Sequence, residues 1–210
     1  MASDRQAHWD KVYAAKSPRE VSWRQERPHV SLQLIARMGV AKDAPILDAG
    51  AGASTLIGAL LEEGYSDVSA LDISGGAIAR LREALGANAG KVTTYVADIT
   101  TWRPPQRFAL WHDRAALHFL TASEDQAAYG ETLRSALAPG GYTIISGFAP
   151  GGPETCSGLP IVQHDAQSLS RILGAAFELL DQIDENHRTP RGATQAFRYY
   201  AYKQRSTSPM

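Results

Sequence analysis

The segment Ile46-Leu47-Asp48-Ala49-Gly50-Ala51-Gly52-Ala53-Ser54-Thr55 constrains this chain more than any other. A short apolar run ends on a carboxylate, two glycines follow at alternate positions, and a helical apolar pattern starts at Ser54. Glycines at a strand-to-helix handover permit a tight turn and leave bare backbone for a ligand to approach. The third glycine of a dinucleotide fingerprint is missing, because Thr55 stands in its place. Asp48 lies two residues before the first glycine and would set like charge against a pyrophosphate. A cationic ligand suits such a loop better. The simpler alternative is an ordinary glycine-rich connection in which the aspartate only caps a helix.

The rest of the chain repeats the strand–helix unit. Asp67–Asp72 reads as a second strand, Ala77–Leu85 as a helix and Val92–Ala97 as a third strand. Phe108–Trp111 reads as a fourth strand, followed by a helix beginning near Arg114 and another from Glu124 to Leu137. Pro139-Gly140-Gly141 then turns the chain into a fifth strand, Tyr142–Ser146. This alternation predicts an α/β fold, a mostly parallel sheet with helices on both faces. Beyond a loop over Gly147–Pro160 come a helix over Gln167–Leu173 and a strand over Phe177–Ile183. The final strand, Gln195–Tyr202, follows without a helix between, which predicts an antiparallel neighbour. Upstream, Gln6–Lys16 reads as a helix stopped by Ser17-Pro18, and a second helix runs from Pro28 to before Gly39. The expected division is 1–43 as N-terminal helices forming an active-site lid, 44–204 as the binding core and 205–210 as a disordered tail.

Composition narrows the partners. A length of 210 residues suits one domain. Lys+Arg 21 against Asp+Glu 22 gives a net charge of -1, so nothing draws the whole molecule to nucleic acid. The single cysteine, Cys156, cannot form an internal bridge and fits a reducing compartment. The opening lacks the apolar core of a signal peptide, and no apolar run nears the ~20 residues of a membrane span. A cytoplasmic protein with no membrane partner is expected. No Cys/His set has metal-ligand spacing, so no metal is expected either.

Two further carboxylates extend the pattern of Asp48. Asp72 follows Gly52 by 72−52=20 residues and ends the second strand, where a carboxylate can take both ribose hydroxyls. Asp98 ends the third strand and can accept from an exocyclic amine. A ligand with a positive end, a ribose and an adenine fits this row. The alternative is that each aspartate caps the helix after it.

The constellation Asp48-Ala-Gly50-Ala-Gly52, Asp72, Asp98-Ile99 and Leu137-Ala-Pro-Gly-Gly-Tyr142 resembles the class I S-adenosylmethionine-dependent methyltransferases, over roughly Pro45 to Tyr202. The resemblance implies S-adenosyl-L-methionine as cofactor and a Rossmann-like seven-stranded sheet with an antiparallel last strand. It implies that Asp48, Gly50, Gly52 and Ser54 pass the methionine part, Asp72 and Ile73 the ribose, and Asp98 and Ile99 the adenine. Trp23, in Val21-Ser-Trp23-Arg-Gln25, is expected either to fold over the cofactor or to staple the N-terminal helices.

In that fold the transferred methyl points at the end of strand four, here Trp111-His112-Asp113-Arg114-Ala115-Ala116-Leu117-His118-Phe119. His112 or His118 can take a proton near neutral pH. Asp113 and Arg114 can orient a substrate or pair with each other structurally. Asp113, Arg114, Ala116 and Leu117 resemble the Asp-Arg-Gly-Ala-Leu segment of the thiopurine S-methyltransferase family, with Ala115 in place of the glycine. The segment is also similar to the Asp-Lys-Gly of lysine methyltransferase-like proteins. A thiol near pKa ~8.5 is closer to neutrality than a lysine near ~10.4, a gap of about 2.6 kcal/mol for the base to bridge. The expected activity is therefore in-line methyl transfer to a small molecule bearing a thiol or other soft nucleophile. A protein lysine and a non-catalytic cofactor-binding module are the alternatives. Cys156, in the loop after strand five, and Glu185–Arg191, between the last two strands, are further candidates for the substrate pocket.

Overall fold

The computed structural model describes residues 2–16 and 20–206. The expected stop at Ser17-Pro18 and the end of the expected tail, 207–210, lie outside the described residues. In chain order the elements are α1 (Ala2–Ala15), α2 (His29–Arg37), β1 (Ile46–Ala49), α3 (Leu56–Glu62), β2 (Val68–Asp72), α4 (Gly75–Leu85) and β3 (Val92–Val96). There follow β4 (Phe108–Arg114), α5 (Ser123–Ala136), β5 (Leu137–Phe148), the short pair β6 (Thr155–Cys156) and β7 (Leu159–Pro160), α6 (Ala166–Leu173), β8 (Phe177–Arg188) and β9 (Thr194–Gln204). Seven strands form one sheet in the order β3-β2-β1-β4-β5-β9-β8. β1 to β5 pair in parallel, and β9 runs antiparallel to both β5 and β8. The chain thus forms the expected α/β Rossmann-like sheet. Only a short turn joins β8 to β9, which restricts them to antiparallel pairing.

Every residue of β1 and β2 is buried, as parallel strands covered on both faces must be. One face packs under α2, α3 and α4 through Leu34, Ile35, Ile57, Leu60 and Leu81. The other packs under α5 and α6 through Tyr129, Leu133, Leu169 and Leu173. α2 starts at Pro28 without a side-chain cap, a loss of about 1 kcal/mol. Burying Leu32, Leu34 and Ile35 outweighs that, since each contributes about 1.5–3 kcal/mol.

Three local expectations are corrected. No helix begins at Arg114: β4 stays paired with β5 through Arg114↔Ser146, and only a 3-10 turn, Leu117–Phe119, follows. The strand ends because Ala115 takes a left-handed φ of 69, with its N–H donating to the Ser146 carbonyl at 2.8 Å. Gly140-Gly141 is an irregularity inside a longer β5, the pairing passing from Phe108↔Leu137 to Leu110↔Tyr142. Glu185–Arg188 belongs to β8 itself and does not lie between the last two strands.

Candidate active site

The carboxyl ends of β1 to β4 open into one cleft, and the turn from Gly50 to Thr55 forms its floor. Gly50 and Gly52 have φ of 68 and 56. A Cβ on Gly50 would collide with the Ala116 side chain, and one on Gly52 with the Tyr13 hydroxyl, so both positions require glycine. The Gly52 N–H donates to Asp72 Oδ2 at 2.8 Å and the Ser74 N–H to Asp72 Oδ1 at 2.8 Å. Asp72 thereby ties the loop to the second strand. Each of its oxygens keeps a lone pair for a ribose hydroxyl. Burial pushes its pKa up to about 6; the Ser74 and Gly52 N–H groups oppose this, and the Asp48 and Asp10 carboxylates add to it.

Asp48 is buried, with Oδ1 2.7 Å from His112 Nδ1 and Oδ2 without a partner. A buried carboxylate oxygen left unmet is costly, and a ligand ammonium would satisfy it. Asp98 accepts from the Thr100 N–H at 2.9 Å and the Thr100 hydroxyl at 2.7 Å. Burial works against its ionisation, but Thr100 and the Arg5 guanidinium hold its pKa below the usual carboxylate range. Ile73, Ala97, Ile99 and Leu120 line the same end with apolar surface. Asp48, Gly50, Gly52, Ser54, Asp72, Ile73, Asp98 and Ile99 all border this one cleft, together with Trp23. The orphaned Asp48 oxygen, the glycine floor and the Asp72 carboxylate fit the ammonium, backbone and ribose of S-adenosylmethionine in turn.

The roof comes from α1, which carries no recognisable motif. Arg5 donates from Nη2 to Asp98 at 2.9 Å and from Nη1 to Asp125 at 2.7 Å. The Ser74 hydroxyl donates to Asp10 at 2.6 Å. Trp9 packs edge-on against Phe119 at 4.8 Å and Trp23 at 6.1 Å, ring centre to ring centre. Trp23 both lines the cleft and anchors α1, and its carbonyl accepts from Arg114 Nη1 at 2.9 Å. Sequence reasoning missed Arg5, Trp9, Tyr13 and Ser31. The aromatic spacing in α1 marks an amphipathic face, but nothing local tells which surface it covers.

At the acceptor end, the four residues singled out near β4 part company. His112 and Arg114 line the cleft, with Trp23, Phe119, Phe148, Cys156 and Phe197 around them. His112 is held at both ring nitrogens, by Asp48 and by the Ser31 hydroxyl, 2.9 Å from Nε2. Arg114 donates from Nε to the Tyr199 hydroxyl at 2.9 Å, while its buried Nη2 has no hydrogen-bond partner and lies 3.8 Å from Glu185. Asp113 does not border the cleft. It is fully buried, accepts from the Ala116 N–H at 2.8 Å, the Leu117 N–H at 3.1 Å and the Tyr129 hydroxyl at 2.8 Å, and shapes the turn after β4. Burial raises its pKa to about 6 against those bonds and nearby His112. His118 is also absent from the lining, packed 4.2 Å from Phe119 and 5.5 Å from Phe148, with neither ring nitrogen bonded. Burial lowers its pKa to about 3, the charges of His164 and Arg114 adding to the effect. Burial likewise pushes the Cys156 thiol up, away from a reactive thiolate.

Residues 46–141 match the family model described as "Methyltransferase domain". That span holds the glycine turn and the carboxylates of Asp48, Asp72 and Asp98 that border the cleft. Solved structures share the fold across almost all of this chain. A structure described under "Conversion of a Disulfide Bond into a Thioacetal Group during Echinomycin Biosynthesis" is 19% identical, with a TM-score of 0.76, covering 97% of this chain and 93% of that one. A SAM-dependent methyltransferase from Anabaena variabilis is 16% identical, TM-score 0.74, covering 97% and 95%. The 1,6-didemethyltoxoflavin-N1-methyltransferase of Burkholderia thailandensis, solved with 1,6-didemethyltoxoflavin and S-adenosylhomocysteine, is 20% identical, TM-score 0.69, covering 98% and 87%. No curated protein matches the sequence. Among the described residues, no helix is long and apolar enough to cross a membrane.

Proposed function

We propose that this chain is an S-adenosylmethionine-dependent methyltransferase that acts on a small molecule carrying a thiol or another soft nucleophile, and that residues 1–43 serve as a lid on the core. The cofactor supplies an activated methyl group on a sulfonium centre. Asp48, Gly50, Gly52 and Ser54 hold its methionine part, Asp72 and Ile73 the ribose, and Asp98 and Ile99 the adenine, with Trp23 above. The acceptor enters beside His112 and Arg114. His112 is the base on which the released proton charge ends, and Nη2 of Arg114, without a hydrogen-bond partner, orients an electron-rich group on the acceptor.

The observation that carries this reading is the enclosure of the acceptor end. Trp23, Phe119, Phe148 and Phe197 wall it, and the 21–25 segment is fastened down over it. Gln25 donates to Glu185 at 2.7 Å, and His187 Nε2 lies 2.7 Å from the Ser22 carbonyl. A flat or compact molecule suits such a chamber better than a long polypeptide side chain with its backbone. The acid–base demand points the same way, since a thiol asks about 2.6 kcal/mol less of a histidine base than a lysine does. The partial resemblance to thiopurine S-methyltransferases agrees, and Ala115 adopts the left-handed backbone that their glycine would favour. The structural neighbour tied to a disulfide-to-thioacetal conversion also handles sulfur.

The test offers the purified enzyme methyl-labelled S-adenosylmethionine with a thiol panel and, separately, a cell lysate. Label in a low-mass product is expected. Label in a protein band overturns the small-molecule reading, and cofactor binding without any transfer supports the non-catalytic module.

A further inference from the structure

Ser31 of α2 and His112 of β4 are 81 positions apart, yet their side chains meet at 2.9 Å inside the protein. Asp48 of β1 completes the row, with its Oδ1 2.7 Å from the other ring nitrogen of His112. Ser31 is 0%, His112 2% and Asp48 3% exposed, so bulk water does not compete for these bonds. All three border the cleft at its acceptor end. The registry is built in, because Asp48 and His112 sit directly opposite each other in the parallel β1–β4 pair.

We propose that Ser31, His112 and Asp48 form a proton relay in which the Ser31 hydroxyl is the group that receives the acceptor's proton. This deepens the reading above, on which it rests for the acceptor's chemistry. An aspartate carboxylate can only accept, so His112 presents Nδ1–H to Asp48 and leaves Nε2 as an acceptor. Nε2 then takes the Ser31 hydroxyl hydrogen. The oxygen of Ser31 keeps two lone pairs, one of which can accept from a substrate S–H. During transfer the acceptor sulfur forms a bond to the methyl carbon and the carbon–sulfonium bond breaks, its electron pair remaining on the departing thioether. The acceptor proton moves to Ser31 as the Ser31 hydrogen moves to Nε2. The products are the methylated acceptor, the neutral thioether and an imidazolium held against the Asp48 carboxylate. Oδ2 of Asp48 remains for the cofactor ammonium, so one carboxylate serves both the methyl donor and the proton acceptor.

A structural alternative is that the row merely braces α2 against the sheet. Two measurements separate them. The first needs no substrate: nitrogen NMR of the His112 imidazole in protein saturated with S-adenosylhomocysteine. The relay requires Nδ1 protonated and Nε2 accepting, with the Nε2 signal moving in Ser31→Ala. A proton on Nε2 donated to Ser31 overturns the proposal. The second is a series of thiols at one fixed near-neutral pH, running from arene thiols already ionised to alkyl thiols still protonated. Ser31→Ala and His112→Gln should each lose about 100-fold in kcat on the protonated thiols and less than about threefold on the ionised ones. The double variant should be no worse than either single one, as for residues acting as a unit. Equal losses on every thiol, or additive losses, overturn the relay and leave a brace. If the wild type turns over no thiol at all, the substrate reading fails and takes the relay's acceptor with it, whereas a proton found on Nε2 overturns the relay alone.

Discussion

Compare the two ends of the cleft. At the proposed cofactor end, a glycine floor and the carboxylates of Asp48, Asp72 and Asp98 sit at successive strand ends, each fixed by backbone N–H groups or a neighbouring side chain. At the proposed acceptor end, Trp23 of the 21–25 segment, Ser31 of α2, His112 and Arg114 of β4, Phe148 of β5 and Phe197 of β9 meet only because the chain has folded. One end is local in sequence and mostly backbone; the other is long-range and mostly side chain. Asp48 belongs to both, and helix α1 lies over the cofactor end through Arg5.

Breaking the shared residue should have the largest effect. Asp48→Ala removes the proposed ammonium anchor and the partner of His112 together, and kcat/KM should fall by about 1,000-fold or more from two charged hydrogen bonds. Steady-state kinetics checks this; a loss confined to KM would place Asp48 at the cofactor end alone. Arg5→Ala tests whether the roof belongs to the cofactor end. Its ion pairs with Asp98 and Asp125 are part-exposed, so the expected loss of cofactor affinity is about 1 kcal/mol, roughly fivefold, with faster dissociation by stopped flow.

The pH dependence sharpens the same division. Asp72 in the free protein has its pKa raised to about 6, and a cationic cofactor favours the ionised form. Affinity should therefore fall as pH drops through about 6 and level off above it, with Asp72→Asn flattening the curve. Calorimetry across that range measures it. The smallest effect is on the turn between the two ends. Ala115 pays for its left-handed φ of 69, and Ala115→Gly should raise stability by up to about 1 kcal/mol in thermal melts, the greater freedom of the unfolded chain offsetting part of the gain.

The same contrast explains what could be read in advance. The α/β order and the antiparallel last strand follow from apolar periodicity and from the missing helix before β9, which are local signals. That Asp48, Asp72 and Asp98 border one cleft was legible because each stands near a strand end at the edge where such sheets bind ligands. His112 and Asp113 are adjacent in sequence and looked alike, yet strand alternation sends one toward the cleft and the other to Tyr129. His118 looked equally available, but the turn after Ala115 buries it against Phe119 and Phe148. Ser31 could not be found from its own neighbourhood, since a serine on a helix face acquires meaning only when His112 arrives beside it. Arg5 and Trp9 share that fate.

The central claim is that the row of strand-end carboxylates holds S-adenosylmethionine, with Asp72 as the ribose anchor. Titrating S-adenosylmethionine calorimetrically into the wild type and Asp72→Ala tests it most directly. Saturable binding to one site per chain is expected, weakened about 100-fold in the variant through the loss of two hydrogen bonds to a charged group. No binding to the wild type, or full-strength binding to a folded Asp72→Ala, would contradict the account.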